Sequence, residues 1–513
     1  MLLSVRIVTM TDGPAATLGE ELRVDLPRPR LRTELDENRA RTASVRRSSV
    51  ARPLRSRLAW WGRRAFAPPS NDTALPMTRP SNVFLASGHL PTLVAVFLYF
   101  CFSCGIWVLN GAMAPFISET FGLTPAQKGL MLSIPIIAGA LMRFPLGLLA
   151  QYIGRKNATL VEMALIAVAM LFGFFFVSSF ESLLAMGVLL GIAGASFGVA
   201  LSLGSGWYPP QHKGLAMGLV GAGNVGTALS VLVAPLLAQW LGWQAVYGVA
   251  AVAILLPMLA VIVYAKEPPD VDAHASLRTH VACLFEGDGW AFSLIYGVTF
   301  GGFIGLATFL PTYYHDEFGV TKVAAGQLTM LAAFMGAAVR VAGGWISDRW
   351  GGVYTLTLVL VLVALCLGVV GFATASLVGT TLLLMLCFAA LGAGNGALFL
   401  LVPLRWPSTT AVAGAMIGEI GALAGGLVPN AMGLSKHYLG TYAWGFVLFG
   451  VLSLAMLSVL RVMQIRWTRT WAERGGRARH VQPVGPERGP RAQALRANGP
   501  LPRAPSGRGF QHE

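Results

Sequence analysis

The charged residues of this chain are concentrated at its two ends, and the long stretch between them carries very little charge. Residues 1–80 hold 15 Arg and 8 acidic residues, and residues 466–513 hold 10 Arg and 3 acidic residues. The 385 residues between them hold 13 basic and 12 acidic side chains, far fewer than a water-facing surface of that size carries. With 55% hydrophobic residues overall, the composition excludes an ordinary soluble enzyme and places residues 81–465 in a lipid bilayer.

Apolar segments long enough to cross a bilayer recur twelve times in this central section. A membrane core of about 30 Å requires about 20 apolar residues in a helix. The longest polar interruption, residues 266–289, divides the spans into one half at 81–265 and a second at 290–465. The sequence therefore predicts an all-α integral membrane protein with twelve transmembrane helices in two halves. The predicted spans cover residues 91–114, 128–151, 158–178, 182–206, 214–240, 244–264, 290–313, 325–347, 354–374, 379–403, 411–434 and 441–463.

The two tails carry +14 of the net charge of +15, so the basic composition does not describe a nucleic-acid-binding domain. We expect no nucleic-acid partner, and tails that meet anionic lipid head groups. Residues 1–80 are predicted to be a disordered Arg-rich extension, with Met77 as an alternative start to Met1, and residues 466–513 a disordered basic tail. Cys101 and Cys104 have C-x-x-C spacing, but without a second ligand pair a packing role is favoured.

Basic residues in the loops predict the orientation, because Lys and Arg accumulate on the cytoplasmic side. Together with the two tails, the loops after even-numbered helices hold the larger set. Both termini are therefore expected in the cytoplasm, with the spans in the cytoplasmic (inner) membrane. The larger set is Arg155, Lys156, Lys213, Lys266, Arg278, Arg349 and Arg405, and the loops on the other side hold Lys128, Lys322 and Lys436.

The two halves repeat each other in the spacing of their Arg and Gly residues. An Arg is followed by Gly after four and after eleven residues in both halves, at an offset of 197, and three glycines of helix 5 recur in helix 11 at an offset of 200. Parallel repeats of six helices place a central cavity between two halves, which is the geometry of alternating access. The repeated positions are Arg143, Gly147 and Gly154 with Arg340, Gly344 and Gly351, and Gly214, Gly218 and Gly221 with Gly414, Gly418 and Gly421.

The loop segments GLLAQYIGRK (147–156) and GGWISDRWGG (343–352) resemble the signature of the major facilitator superfamily and its echo in the second half. One departure is Gln151, which stands where that family usually has Asp. The first gate is therefore expected to lack a charged lock that Asp348 retains in the second. The gate positions implied by the resemblance are Gly147, Gly154, Arg155, Asp348 and Arg349.

Arg143 and Arg340 lie eleven residues before their loop glycines, about 16 Å along a helix and thus near the middle of the membrane. A guanidinium there costs about 3 kcal/mol on insertion scales, so it requires a partner or a wet cavity. Helices 2 and 8 hold no acid at that depth, and Glu419 alone cannot neutralise two arginines. One small planar anion between the two guanidinium groups would satisfy both. Glu162, also inside a span, is expected to be interfacial near Arg155 or Lys156.

Glycine stripes in helices 5, 10 and 11 surround two asparagines, Asn224 and Asn395. Ordinary close packing explains the glycines, but an amide in lipid requires an anion or a backbone partner. The segments GLAMGLVGAGNVG (214–226), GAGNGALFLLVPLRWP (392–407) and GEIGALAGGLVPNAMG (418–433) are similar to the glycine-rich motifs of the nitrate/nitrite porter family. Together with the loop segments, this resemblance covers nearly all of residues 91–463.

The resemblance implies transport of nitrate and nitrite, with Arg143 and Arg340 as the anion clamp. It also implies substrate contacts from Asn224, Phe197, Tyr296 and Phe300, although residue type alone favours core packing for the two phenylalanines. Tyr296 can donate a hydrogen bond to an anion. Asn395 is a further candidate for anion binding.

Glu419 is left with two interpretations, proton coupling or a structural role. A small organic carboxylate such as oxalate or formate remains an alternative cargo. A membrane sensor that binds nitrate and signals through its tails is an alternative function. We expect no enzyme activity, no cofactor and no metal, since no hydrolase, metal or nucleotide motif is present, and a monomer in the membrane.

Overall fold

A computed structural model of the chain describes residues 6–10, 18–23, 84, 87–269, 282–372, 376–407 and 409–477. The chain forms two compact units, Met1–Thr78 and Arg79–Glu513. In the first unit, strands β1 (Arg6–Met10) and β2 (Leu18–Arg23) pair antiparallel. The other residues of that unit, and residues 478–513, lie outside the described part of the chain. The predictions of disorder in both tails remain predictions there.

The described part of the second unit contains twelve helices that are long and apolar enough to cross a membrane. This number confirms the predicted fold class. The helices are α1 (Leu90–Trp107), α2 (Pro125–Ile153), α3 (Arg155–Phe176), α4 (Phe180–Ser205), α5 (His212–Leu241), α6 (Trp243–Tyr264), α7 (Gly287–Phe318), α8 (Lys322–Trp350), α9 (Gly352–Phe372), α10 (Leu377–Arg405), α11 (Val412–Leu439) and α12 (Ala443–Thr470).

Several helices extend beyond their apolar sequence because polar residues cap them. Thr124 accepts a hydrogen bond from the backbone N–H of Gln127 at the start of α2, and Thr321 does the same for Ala324 at the start of α8. Such caps satisfy backbone donors that the helix leaves free. The last helix, α12, continues to Thr470, past the boundary predicted at residue 465.

Single glycines connect α2 to α3 and α8 to α9, and they explain the repeated loop motif. Gly154 has φ +87° and Gly351 has φ +100°, a region that side chains other than glycine rarely adopt. A Cβ atom at Gly351 would also lie 2.0 Å from the carbonyl oxygen of Gly475. The chain therefore requires glycine at both reversals.

Irregular turns interrupt three helices near the centre of the bundle. After α1, the chain continues through two shorter helices, Leu109–Ala112 and Ala114–Phe121. Ala222–Asn224 form a 3₁₀ turn within α5, and Gly297–Gly301 form a π-helical turn within α7. Turns of this kind are frequent at functional sites in helices.

The bundle has two ends, which we name by their loops. The linker end carries the loops after even-numbered helices, including residues 265–269 and 282–286, and the opposite end carries the loops after odd-numbered helices. At the opposite end the two halves pack closely, because α2 meets α11 and α5 meets α8 through glycines. A Cβ at Gly129 would lie 2.8 Å from the carbonyl oxygen of Pro429, and one at Gly326 would lie 2.4 Å from that of Val231.

Two ion pairs also join the halves at the opposite end. Lys128 at the start of α2 pairs with Asp316 in α7 at 2.7 Å, and Lys322 at the start of α8 pairs with Glu119 after α1. The two pairs are related by the repeat, since each lysine begins the second helix of its half. Towards the linker end the surroundings are open, because a Cβ added at Gly147, Gly214, Gly218 or Gly344 would meet no atom within 4 Å.

Candidate functional site

Arg143 lies in the interior of the bundle, as predicted, and its partners are neutral. Its side chain is 7% exposed. The Nε atom donates to the carbonyl oxygen of Gly194 at 3.1 Å, and Nη1 donates to that of Gly418 at 2.5 Å. The guanidinium carbon also lies 5.4–5.6 Å from the ring centres of Trp107, Phe197 and Phe300. Carbonyl dipoles and aromatic faces therefore stabilise this buried cation.

Arg340 is buried at the equivalent position of the second half, with 8% exposure, and it differs from Arg143 in its hydrogen bonding. Its Nη1 atom is buried and has no hydrogen-bond partner among the described residues, and the same holds for the hydroxyl group of Tyr296. Tyr296 interacts electrostatically with both Arg340 and Arg143, and its hydroxyl also lies close to the Arg340 side chain, without the geometry of a full hydrogen bond. The site thus contains two buried donors that form no full hydrogen bond within the described residues, close to two positive charges.

Aromatic rings enclose these groups. Tyr296 and Phe300 stack with ring centres 5.1 Å apart and planes at 6°, and Phe197 stacks on Phe300 at 6.0 Å. Phe399 of α10 closes the group, with its ring edge-on to Tyr296 at 5.1 Å and to Phe197 at 6.0 Å. These rings form flat, water-excluding walls beside the guanidinium of Arg143.

Two aromatic residues of this site were not predicted from the sequence. Phe399 follows Asn395 by four residues on the same helix, a spacing that could have suggested it. Trp107 lies under Arg143, and its Nε1 donates to the carbonyl oxygen of Pro135 at 2.7 Å. An indole N–H inside an apolar span requires an acceptor, so the sequence could also have suggested Trp107 as a residue of this site.

Glycines allow the backbone to approach the charged groups. Gly418 supplies its carbonyl to Arg143, and a Cβ there would lie 3.2 Å from the ring of Phe197. At Gly421 a Cβ would lie 2.4 Å from Cδ1 of Tyr296, and at Gly221 it would lie 3.3 Å from Nη2 of Arg340. The predicted glycine stripes therefore line the site as well as the helix contacts.

The two predicted asparagines are both buried, each with 2% exposure. Asn224 lies in the 3₁₀ turn of α5, where its Oδ1 accepts a weak hydrogen bond from the thiol of Cys104 at 3.4 Å. Asn395 lies in α10, and its Oδ1 has no hydrogen-bond partner among the described residues. Cys101 and Cys104 are free and buried.

The deep carboxylates have different surroundings. Glu419 is half-buried and experiences the charge of Arg143, but it makes no hydrogen bond or ion pair within the described part of the chain. Glu162 is 1% exposed, and its Oε2 accepts a hydrogen bond from the hydroxyl of Tyr99 in α1. The prediction of an interfacial Glu162 near Arg155 or Lys156 is therefore wrong. This face of α3 turns towards the bundle interior, away from the lipid head groups.

The predicted gate residues lie at the linker end, away from the arginines. The backbone N–H groups of Arg155 and Lys156 donate to the carboxylate of Glu267 at 2.9 and 2.8 Å, so Glu267 caps α3. Asp348 is exposed and forms no ion pair among the described residues. Arg349 stacks on Trp345 at 3.9 Å. The lock predicted for Asp348 is not formed in this arrangement.

No group of three or more His, Cys, Asp or Glu side chains that could hold a metal ion occurs in the described ranges. The positive charges, unsatisfied donors and flat aromatic walls instead suit a small planar anion.

This fold and this centre define the chain as a multi-pass membrane protein of two six-helix halves, with a buried cationic site between them. The profile of the Major Facilitator Superfamily matches residues 95–429, and the chain belongs to that superfamily. It is therefore a transporter rather than an enzyme.

Two named relatives match this chain over most of their own length. The nitrite extrusion protein of Bacillus subtilis (strain 168) is 29% identical over 369 residues, which cover 71% of this chain and 91% of that protein. The probable nitrate/nitrite antiporter NarK1 of Thermus thermophilus is 29% identical over 413 residues, covering 72% and 91%.

Solved structures share the fold at lower identity. A D-xylose-proton symporter superimposes with a TM-score of 0.60 at 16% identity, covering 71% of this chain and 96% of that one. A bacterial homolog of the human lysosomal transporter Spinster, in an inward-facing and occupied conformation, superimposes with a TM-score of 0.57 at 19% identity, covering 76% and 98%. At these identities the likeness concerns the fold alone.

Proposed function

We propose that this protein carries nitrate and nitrite across the cytoplasmic membrane by alternating access, with the anion held between Arg143 and Arg340. Two kinds of observation support the proposal. The relatives named above are a nitrite extrusion protein and a probable nitrate/nitrite antiporter. The centre of the bundle combines two buried guanidinium groups that form no ion pair within the described residues.

The observation that carries the proposal is the pair of unsatisfied donors on Arg340 and Tyr296. A buried donor without an acceptor is costly, and an oxygen-bearing anion supplies the missing acceptors. A planar anion fits because a guanidinium donates two parallel N–H bonds in one plane. The stacked rings of Tyr296 and Phe300 leave a flat wall for the face of that anion.

The hydrogen bond between Arg143 and Gly418 connects anion binding to the position of the two halves. Arg143 belongs to the first half and Gly418 to the second. An anion that binds Arg143 through Nη1 competes with the carbonyl of Gly418. Binding therefore exchanges a direct contact between the halves for a contact through the anion, which supplies the differential interaction that a conformational change requires.

We also propose that the linker end faces the cytoplasm, with both termini on that side, because the predicted cytoplasmic loops carry the larger set of basic residues. The opposite end, closed by glycine contacts and two ion pairs, then faces outward. With this proposed orientation, an arrangement that is open towards the linker end corresponds to the inward-facing one. We propose that a single chain forms the complete transport unit, since the site draws its residues from both halves of one chain.

The proposal is tested by replacing Arg143→Lys and Arg340→Lys separately and measuring nitrate counterflow in proteoliposomes. A hydrogen bond to a charged group contributes about 1.5–3 kcal/mol, so the loss of one bond of the fork lowers uptake by about 10- to 150-fold. Arg469→Lys is the matched control, because Arg469 is exposed at the linker end of α12 and lies outside both the site and the gate motif. Full uptake in both site variants would refute the clamp.

The nature of the cargo is tested by competition in the same vesicles. Unlabelled nitrite should compete with labelled nitrate for counterflow. The relatives reported above are a nitrite extrusion protein and a probable nitrate/nitrite antiporter. We therefore expect oxalate and formate to compete poorly. Stronger competition by a carboxylate than by nitrite would mean that the substrate bound between the two arginines is an organic anion.

A further inference from the structure

Glu162 is a buried carboxyl group to which the anion site gives no role. It is 1% exposed, its Oε2 accepts a hydrogen bond from the hydroxyl of Tyr99, and its Oε1 has no partner among the described residues. Tyr99 is itself 0% exposed. The carboxyl group is thus enclosed in protein with one of its two oxygens unsatisfied.

Within the described part of the chain, no positively charged side chain contacts this carboxyl group. Helix α3 packs against α2, α4 and α6, and Tyr99 of α1 is the ionisable residue that contacts Glu162. On α3 itself, the guanidinium of Arg155 donates to the carbonyl oxygen of Ser202 at 3.1 Å, and the ammonium of Lys156 donates to that of Ile262 at 3.0 Å. The other ionisable residues of the helices around Glu162 are Cys101 and Cys104 in α1, Lys128, Arg143 and Tyr152 in α2, Glu181 in α4, and Tyr247 and Tyr264 in α6.

These other residues are engaged elsewhere or lie at the ends of their helices. Arg143 donates to the carbonyls of Gly194 and Gly418. Tyr247 donates to Asn110. Lys128 and Glu181 lie at the opposite end of the bundle. An ionised carboxylate without a counter-charge is strongly disfavoured in apolar surroundings. The enclosure therefore favours the neutral acid, and Oε1 is the oxygen available to carry the proton because Oε2 accepts from Tyr99.

One turn of α1 connects this carboxyl group to the anion site. Phe100, next to Tyr99, packs on Phe197 with ring centres 5.5 Å apart, and Arg143 lies over Phe197. Further along the same helix, the thiol of Cys104 bonds to Asn224. A shift of α1 that follows a change at Tyr99 therefore reaches three predicted substrate-binding residues. α1 ends at Trp107, and a separate short helix, Leu109–Ala112, follows it.

We propose that Glu162, with Tyr99, is a proton-binding site that couples proton movement to anion transport. A proton from water adds to Oε1 when the carboxylate is ionised and exposed, and the neutral acid is enclosed as seen here. The proton leaves to water when the site opens on the other side. This inference rests on the proposed anion transport, and it assigns the coupling to Glu162 and not to Glu419.

The test uses the full chain in proteoliposomes and the variant Glu162→Gln, which keeps an oxygen to accept from Tyr99 and cannot titrate. Anion counterflow without a pH gradient requires no net proton movement, so the variant should retain it. An inwardly directed gradient of about one pH unit supports up to about tenfold nitrate accumulation per coupled proton. The variant should lose this accumulation completely. Glu419→Gln, the matched control, should keep it.

Two outcomes overturn the proposal. One is gradient-driven accumulation that persists in Glu162→Gln, and the other is its loss in Glu419→Gln alone. If Glu162→Gln does not fold, wild-type vesicles with an entrapped pH dye decide the matter. Nitrate entry should then acidify the lumen in proportion to flux, because the proton enters with the anion, and Tyr99→Phe should reduce that signal. A dye signal that does not respond to nitrate also overturns it. Absence of counterflow in wild type would instead refute the anion transport itself.

Discussion

A methyl group placed at Gly421 should disturb the anion site more than one placed at any other of the six glycines that repeat between α5 and α11. The other five are Gly214, Gly218, Gly221, Gly414 and Gly418. A Cβ at Gly421 would lie 2.4 Å from Cδ1 of Tyr296, whereas ordinary contact begins at 3.4 Å. The ring must therefore retreat by the difference, 1.0 Å. It has little freedom to do so, because Phe300 stacks on its face and Phe399 meets it edge-on, each with ring centres 5.1 Å away.

The expected magnitude follows from this displacement. Overpacking of a well-packed interior costs about 1–3 kcal/mol, and that cost falls on the Tyr296 ring whose hydroxyl is predicted to bind the anion. Gly421→Ala should therefore weaken nitrate binding by about 5- to 150-fold. Gly221→Ala should have a smaller effect, because its Cβ would lie 3.3 Å from Nη2 of Arg340. Gly218→Ala should be neutral or slightly stabilising, since its Cβ meets no atom within 4 Å and alanine favours helix.

The assay is nitrate affinity in detergent, measured by calorimetry or by the nitrate-dependent rise in unfolding temperature. Binding is preferred to transport here, because Gly218 must pack against other helices when the linker end closes during a transport cycle. The reasoning would be refuted if Gly421→Ala bound nitrate as well as Gly218→Ala. It would also fail if the order of Gly421 and Gly221 were reversed.

Two further predictions concern ion pairs outside the site. Lys128→Ala removes the contact to Asp316, a partly exposed pair that contributes up to about 1 kcal/mol. Spin labels placed on the two halves at the opposite end should therefore show an increase of up to about fivefold in the population with the longer, open distance. An unchanged distance distribution would contradict a closing role. Asp288→Ala removes the buried partner of Arg405 and should lower the free energy of unfolding by about 1–3 kcal/mol. Glu286→Ala removes a more exposed partner of the same arginine and should lower it by less than about 1 kcal/mol. Thermal unfolding compares the two, and equal losses would contradict the argument.

Some features of the site follow from sequence because they depend on depth and repetition. The positions of Arg143 and Arg340 relative to their loop glycines place both inside the bundle, and the structure buries both. Gly154 and Gly351 recur because a single-residue reversal between helices requires positive φ. These inferences need only the rise of a helix and the thickness of a membrane.

Other features could not be obtained in this way, because they depend on which helices meet. Phe399 and Trp107 have ordinary surroundings in the sequence, and their place beside Tyr296 and Arg143 is set by contacts between separate helices. Glu162 was misplaced for the same reason. Its partner Tyr99 precedes it by 63 residues, and distance from a loop says nothing about which face of a helix is turned inward.

The sequence by itself determined that this chain spans a membrane twelve times in two related halves and that two guanidinium groups lie deep within it. Length, apolar composition and spacing suffice for that, since the bilayer imposes them on every helix. Only the tertiary structure decided that Gly418 occupies a donor of Arg143, while Nη1 of Arg340 and the hydroxyl of Tyr296 find no full hydrogen bond among the described residues. Hydrogen-bond satisfaction is a property of packed neighbours, so it is fixed only when the helices have come together.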